Sequence, residues 1–346
     1  MNSMENSLSR REFIHFGFRS ASLCGVTAAA LASSLAERLG AATATTSPFA
    51  YDVDRLSQID PQLLRYKQVG RISGIGPEPK RIAVGPDDRV YVATKTGVEI
   101  LDPAQGKTGE IPLSSPARCV TVAGDGTTYV GLRTQLQVFS SKGQSLAAWE
   151  IPGKKAWLTG LTVGANDLFA ADSAARVIHR FDRAGKVLGR IGEKNPARNV
   201  PGLIVPSPYL DVKLGRDGLL RVNNPGRHCV HLFTSDGDLE LSWGKPSLKI
   251  EGFCGCCNPI GLALLPDGRC ITSEKGLPRV KVFSNDHTLD SVVAGPELFR
   301  DNGRAGQVSD QSDGTLGGLD TAVDSTGRVF ILDIVARDVR VMRRKA

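Results

Sequence analysis

Long apolar runs are missing from this chain of 346 residues. No segment approaches the ~18–20 unbroken apolar residues that a membrane-spanning helix needs. Helical periodicity is equally scarce beyond residue 44. The net charge of +7 is spread out apart from Arg343-Arg344-Lys345, which read as a solvated tail. No basic stripe with interleaved aromatics occurs, which argues against nucleic-acid binding. Gly70-Arg71-Ile72-Ser73-Gly74-Ile75-Gly76 has the glycines of a phosphate loop but no helix to follow them. His179 and His231 alternate along strand-like runs and His287 lies in a turn, so no Ser/His/Asp triad can be built from spacing. What remains is 41% hydrophobic and 23% charged residues, the composition of a globular protein.

What the chain has in quantity is a short turn after an apolar run. It appears as Gly85-Pro86-Asp87-Asp88, Gly124-Asp125-Gly126, Gly164-Ala165-Asn166-Asp167, Gly215-Arg216-Asp217-Gly218, Pro266-Asp267-Gly268 and Ser325-Thr326-Gly327. Asp-Gly pairs and their relatives supply the positive φ of a tight hairpin. Runs rich in Val, Ile, Leu and aromatics flank each turn, as strands require. A third strand is visible at Val177-Ile178-His179-Arg180-Phe181 and Val280-Lys281-Val282-Phe283, and a fourth follows Asp236-Gly237. Each unit is therefore a four-stranded antiparallel meander. Such units repeating every ~40–50 residues predict a ring of sheets, because stacking buries faces that one sheet leaves open. The fold class is all-β, a six-bladed β-propeller. The last copy ends after its third strand, so the N-terminal run from Arg65 to Ile72 is expected to complete it and close the ring.

The repeats resemble NHL-type six-bladed propellers over roughly residues 60–346, best at 209–243 and 259–294. That resemblance implies a fold and leaves function open, since the family includes hydrolases, lyases and plain binding scaffolds. The first two copies depart from it: Val98-Glu99-Ile100-Leu101 and Gln135-Leu136-Gln137-Val138-Phe139 lack the arginine that opens the third strand elsewhere.

The opening Ser9-Arg10-Arg11-Glu12-Phe13-Ile14 resembles a twin-arginine export signal. A weakly apolar stretch and the small residues Ala42-Thr43-Ala44 follow, where a signal peptidase would cut. A lipoprotein anchor at Cys24 fits less well, because Leu23 stands where a small residue is expected. The expected organisation is a signal peptide at 1–44, a linker at 45–63 and a propeller at 64–346, exported to a periplasmic or extracellular space. The mature chain is expected to be a monomer without a membrane span. Passengers of this route often carry a cofactor.

Strand order fixes which loops share a face. Connectors into each first strand and the loops between second and third strands lie at one end of the ring. The long connectors 192–208, 244–258 and 295–318 all fall there, which makes that face the candidate binding surface for an unknown ligand or protein partner. It also receives Asp172, Asn223, Asn224, His228, Glu274, Lys275 and Asp333. Such a polar ring can bind a hard cation through oxygen, or can be turn residues capping their own backbone. A likeness to gluconolactonase-type propellers would make Glu274, Asn223, Asp172 and Asp333 metal ligands of a hydrolase.

Six cysteines remain after residue 44. Cys119 and Cys270 fall within strands, as buried fillers. Cys254, Cys256 and Cys257 crowd one connector, and Cys229 lies in the neighbouring unit. Three readings stand open. The first is a disulfide suited to an oxidising compartment, Cys254 with Cys257 or either with Cys229, since the direct neighbours Cys256 and Cys257 would form a strained ring; the others are a thiolate-bound soft metal or iron–sulfur cluster and a redox thiol pair assisted by Lys275. The Cys-Gly-Cys-Cys spacing matches neither common zinc nor common ferredoxin patterns.

Overall fold

The structure, a computed structural model, describes residues 55, 56, 58–302 and 318–346. The twin-arginine motif at Arg10 and Arg11, the proposed signal peptide and most of the third long connector lie outside the described residues.

Six sheets of four antiparallel strands form the described chain. The first holds β2 (Arg81–Val84), β3 (Val90–Thr94), β4 (Gly97–Asp102) and β5 (Gly106–Pro112). The second holds β6 (Cys119–Val122), β7 (Thr128–Gly131), β8 (Gln135–Phe139) and β9 (Ser145–Glu150). The third is β10 (Leu158–Val163), β11 (Asp167–Asp172), β12 (Val177–Asp182) and β13 (Val187–Ile191). The fourth is β14 (Val212–Leu214), β15 (Leu220–Asn224), β16 (Cys229–Phe233) and β17 (Leu239–Trp243). The fifth is β18 (Gly261–Leu264), β19 (Cys270–Ser273), β20 (Val280–Phe283) and β21 (Leu289–Ala294). The sixth joins β22 (Leu319–Val323), β23 (Val329–Asp333) and β24 (Asp338–Arg344) to β1 (Tyr66–Ser73), which pairs with β24 from Tyr66↔Arg344 to Ser73↔Asp338. The expected closure by the N-terminal strand is thus observed. It covers the edge of β24 with backbone hydrogen bonds.

The burial pattern explains the sequence pattern. Middle strands are sandwiched on both faces, so Val90-Tyr91-Val92-Ala93-Thr94 and Val329-Phe330-Ile331-Leu332-Asp333 are buried throughout. Outer strands meet solvent and read as mixtures, as in Leu239–Trp243. The core is divided into apolar patches between neighbouring sheets. Phe330, Leu332, Ile82 and Val92 join the last blade to the first, and Phe169, Ile178, Val212 and Phe233 join the third to the fourth. Each such side chain contributes about 1.5–3 kcal/mol through burial.

The first hairpins repeat one chemistry. The aspartate carboxylate accepts a backbone N–H two residues on, from Asp125 to Thr127, Asp217 to Leu219 and Asp267 to Arg269. Gly126, Gly218 and Gly268 take the positive φ that follows. In the first blade Asp88 adopts it instead, with φ 60°.

Candidate functional site

Arg81, from the first blade, lies on the axis and is 7% exposed. Its guanidinium donates to Thr159 O (2.7 Å), Ile260 O (3.2 Å) and Asp320 Oδ1 (2.8 Å), and lies 3.9 Å from Asp211 Oδ2. One side chain therefore ties its own blade to the third, fourth, fifth and sixth. Burial works against its charge, but Asp320 and Asp211 raise its pKa and hold it ionised. Asp211 is matched by Lys213 Nζ at 3.0 Å and by Leu262 N at 2.9 Å. Gly160 and Gly261 leave room for this hub. A Cβ at 160 would stand 2.6 Å from Asp211 Oδ1, and one at 261 would stand 2.8 Å from Asp320 Oδ1. Sequence reasoning missed the hub; the available signal was a lone Arg or Asp inside short apolar first strands.

The polar residues at the ends of the second strands are committed to backbone. Asp172 Oδ1 accepts from Trp157, Ala174 and Ala175 N–H, each at 3.0 Å, and Oδ2 meets His179 Nε2 at 3.2 Å. Asn223 binds Asp211 N, Tyr209 O and Pro259 O. Asn224 binds Ile204 N, Gly202 O and His231 Nε2. Asp333 Oδ1 accepts from Val335 and Ala336 N–H. His228 sits in the left-handed region, with φ 55°, and ends a short 3-10 turn at Pro225–Arg227. These side chains cap turns and anchor connectors. A regular pairing underlies three of them: Asp172–His179, Asn224–His231 and Glu274–Lys281 are each seven residues apart and span the second and third strands. Among the described residues, no group of three or more His, Cys, Asp or Glu side chains is arranged to hold a metal.

Glu274 anchors the cysteine connector. It is fully buried, accepts from Cys254 N at 3.2 Å, and meets Arg279 Nη2 at 2.7 Å and Lys281 Nζ at 2.8 Å. Lys281 Nζ also donates to Ile250 O (3.0 Å) and Gly252 O (2.6 Å), and lies over the Phe253 ring. Burial lowers the Lys281 pKa to about 8, against the pull of Glu274. Asn258 completes the clamp: its amide donates to Cys254 O and Lys275 O and accepts from Lys275 N. The connector's conformation is thus fixed by side chains of the adjoining blade.

All six described cysteines are free thiols. Burial pushes Cys119 and Cys270 up to about 12 and Cys229 up to about 11, which leaves them inert. Cys229 Sγ faces His231 Nε2 at 3.9 Å, the same nitrogen that Asn224 Nδ2 meets at 2.8 Å. Cys254 is buried, and desolvation raises its pKa against Arg279. The structure brings together Cys256 and Cys257, with Sγ atoms 3.2 Å apart, Cys256 exposed and Cys257 buried. Ser207 Oγ lies 3.2 Å from Cys257 Sγ and accepts from Lys275 Nζ at 3.0 Å. The Lys275 ammonium also lies 4.5 Å from the centre of the Tyr209 ring. Burial opposes ionisation of Cys257, yet Ser207, Cys256 and Lys275 together draw its pKa below the usual thiol value. The Cys256 thiol is raised, first by its hydrogen bond to Cys257 and then by burial. Within the pair, ionisation is thus favoured at the inner sulfur over the outer one.

Ser207 also lines a groove of about 200 Å³ between Trp157, Ser173 and Ala174 on one side and residues 205–208 on the other. Below it, Pro208 and Tyr209 cover the axial mouth, leaving a void of about 20 Å³ next to Arg81 and Arg118. Trp157, Ser207 and Tyr209 escaped sequence reasoning, which marked the connector by its length alone.

No family model matches the sequence, and no curated protein matches it either. Solved structures do share its shape. A streptogramin B lyase superposes with a TM-score of 0.54 at 13% identity, covering 81% of this chain and 97% of its own. Virginiamycin B lyase from Staphylococcus aureus gives 0.54 at 15% identity, covering 81% and 100%. A catalytically inactive form of that lyase with quinupristin gives 0.51 at 12%, covering 81% and 99%. At these identities the likeness establishes the six-bladed propeller fold that the chain shares with them.

Proposed function

We propose that this protein is an exported, NHL-type propeller whose working site is the Cys256–Cys257 pair, acting in thiol–disulfide exchange with a ligand on the loop-rich face. One observation carries the reading: Cys257 Sγ lies 3.2 Å from both Cys256 Sγ and Ser207 Oγ, and Lys275 donates to that same hydroxyl. A buried thiol whose ionisation a cation and a hydroxyl favour, touching an exposed thiol, suits an attacking and a resolving sulfur. The metal-hydrolase reading has less support, because Asp172, Asn223, Glu274 and Asp333 already satisfy buried backbone or cationic partners. The lyases that share the fold establish no activity here.

The test is timed alkylation of the folded, reduced protein with iodoacetamide, mapped by peptide mass spectrometry. Cys256 and Cys257 should react far ahead of Cys119, Cys229 and Cys270. Cys257→Ser should confine the remaining reaction, at Cys256, to the pH range of an ordinary thiol, since the sulfur whose ionisation Ser207 and Lys275 favour is gone. A pair that reacts no faster than the buried cysteines would end the proposal.

A further inference from the structure

The seam between the fourth and fifth blades holds a cleft of about 380 Å³, within the range of small-molecule sites. The turns of the β14–β15, β18–β19 and β20–β21 hairpins rim it, so it lies at the end of the ring opposite the cysteine connector. Leu232, Leu264, Cys270 and Trp243 supply its apolar lining. Trp243 is held in place by Phe283, 4.7 Å between ring centres, and by His287, which stacks on it at 5.5 Å with the planes 6° apart. The polar lining is unevenly matched. Asp217 accepts from both terminal nitrogens of Arg221 and from Leu219 N–H. Asp267 accepts from the guanidinium and the backbone N–H of Arg269. Each carboxylate in the lining therefore has an arginine of its own. Two donors are left over. Among the described residues the exposed Arg216 guanidinium has no partner. The indole Nε1–H of Trp243, a side chain only 8% exposed, is buried without one. A buried donor left unanswered is uncommon in a folded protein. The surplus is thus of donors and of positive charge, beside an apolar surface.

We infer that this cleft binds a small carboxylate with an apolar, ring-sized body, its head on Arg216 and its body against Leu232, Leu264 and Trp243. A carboxylate is acceptor-only and negatively charged, so it answers what the lining has in excess. A neutral head leaves the guanidinium without a counter-charge, and a cationic head meets a like charge. The volume suits one ring and a short acid arm, the lower end of the small-molecule range. The cleft shares no residue with the Cys256–Cys257 pair, so the inference stands or falls apart from the thiol-exchange reading.

Phenylacetate, phenylacetamide and phenethylamine test this, since they share a body and differ in the charge of the head. Each is titrated into the folded, nitrogen-15-labelled protein at low salt, and the indole N–H signals are followed by NMR; Trp243→Phe identifies the Trp243 signal by removing it. Phenylacetate should shift the Trp243 signal saturably and leave those of Trp149 and Trp157 in place. It should bind about fivefold more tightly than phenylacetamide, as an exposed ion pair allows, with phenethylamine weakest. The preference should shrink as salt is raised. Arg216→Gln should bring phenylacetate down to the level of the amide, and Arg216→Lys should keep part of the preference. Arg216 is exposed, so neither substitution disturbs the core. Equal affinities, a preference for phenethylamine, a preference that Arg216→Gln leaves intact, or no saturable shift of Trp243 with phenylacetate would each overturn the inference. None of these results bears on thiol exchange, which alkylation reads at the other end of the ring.

Discussion

His231 should set the acid limit of this fold. The ring is 2% exposed on β16, between two partners. Asn224 is oriented by its other bonds: its carbonyl accepts from Ile204 N at 2.9 Å, and its amide donates to Gly202 O at 3.2 Å. The amide nitrogen therefore faces His231 Nε2, at 2.8 Å, so Nε2 must accept. The proton then sits on Nδ1, 2.6 Å from Ser242 Oγ. A second proton on Nε2 would meet a donor in a dry site. Burial accordingly lowers this histidine from 6.5 to about 4, with Arg227 adding to the effect. The unfolded chain binds a proton near pH 6.5 that the folded chain refuses. The stabilisation is thus complete above pH 6.5 and is lost as the pH falls toward 4. The whole interval is worth about 3 kcal/mol, of which about 2 kcal/mol is lost by pH 5. Urea unfolding of the wild type and His231→Gln at pH 7 and pH 5 isolates it. The variant should be less stable at pH 7, yet its loss between the two pH values should be smaller by about 2 kcal/mol. Equal losses in the two proteins would refute the reasoning. The same Asn224 holds residues 202–204, so acid should first loosen the connector that carries Ser207.

Other outcomes follow from the same contacts. Lys281→Met should cost about 3–5 kcal/mol in chemical denaturation, because Glu274 and two loop carbonyls lose a buried cation. Protease cleavage near Gly255 should become faster in that variant. Arg81→Met should cost a similar amount by removing the cation between Asp211 and Asp320, whereas Arg81→Met/Asp320→Leu should recover part of the loss. Because Cys257 is shifted down, alkylation of the pair should already proceed at a pH where an ordinary thiol is unreactive. Lys275→Met should move that profile to higher pH; an unmoved profile would remove Lys275 from the site.

The turn series and strand runs were enough to specify the ring, because each blade repeats the same local chemistry. Asp125-Gly126, Asp217-Gly218 and Asp267-Gly268 make the same turn wherever they occur. The shared face also followed from strand order alone, and it is where the groove and the cysteine connector lie. Partnership within the face could not be read this way. Asp172 and Glu274 look like ligands in a linear chain, and only packing reveals that backbone N–H groups and neighbouring cations already occupy them. The cysteines differ for the same reason. Cys229 and Cys257 have the same side chain, but one sulfur faces a histidine two residues on, and the other a serine fifty residues back that is bound to Lys275.

Sequence alone therefore determined the blade, its number, its closure and the face that carries the long loops, since these depend on hydrogen-bond periodicity and turn geometry within a few residues. Only the tertiary structure decided that Arg81 lies at the axis and that Ser207 and Lys275 stand beside Cys257. Those outcomes depend on desolvation and on partners drawn from blades distant in the chain, which no local pattern encodes.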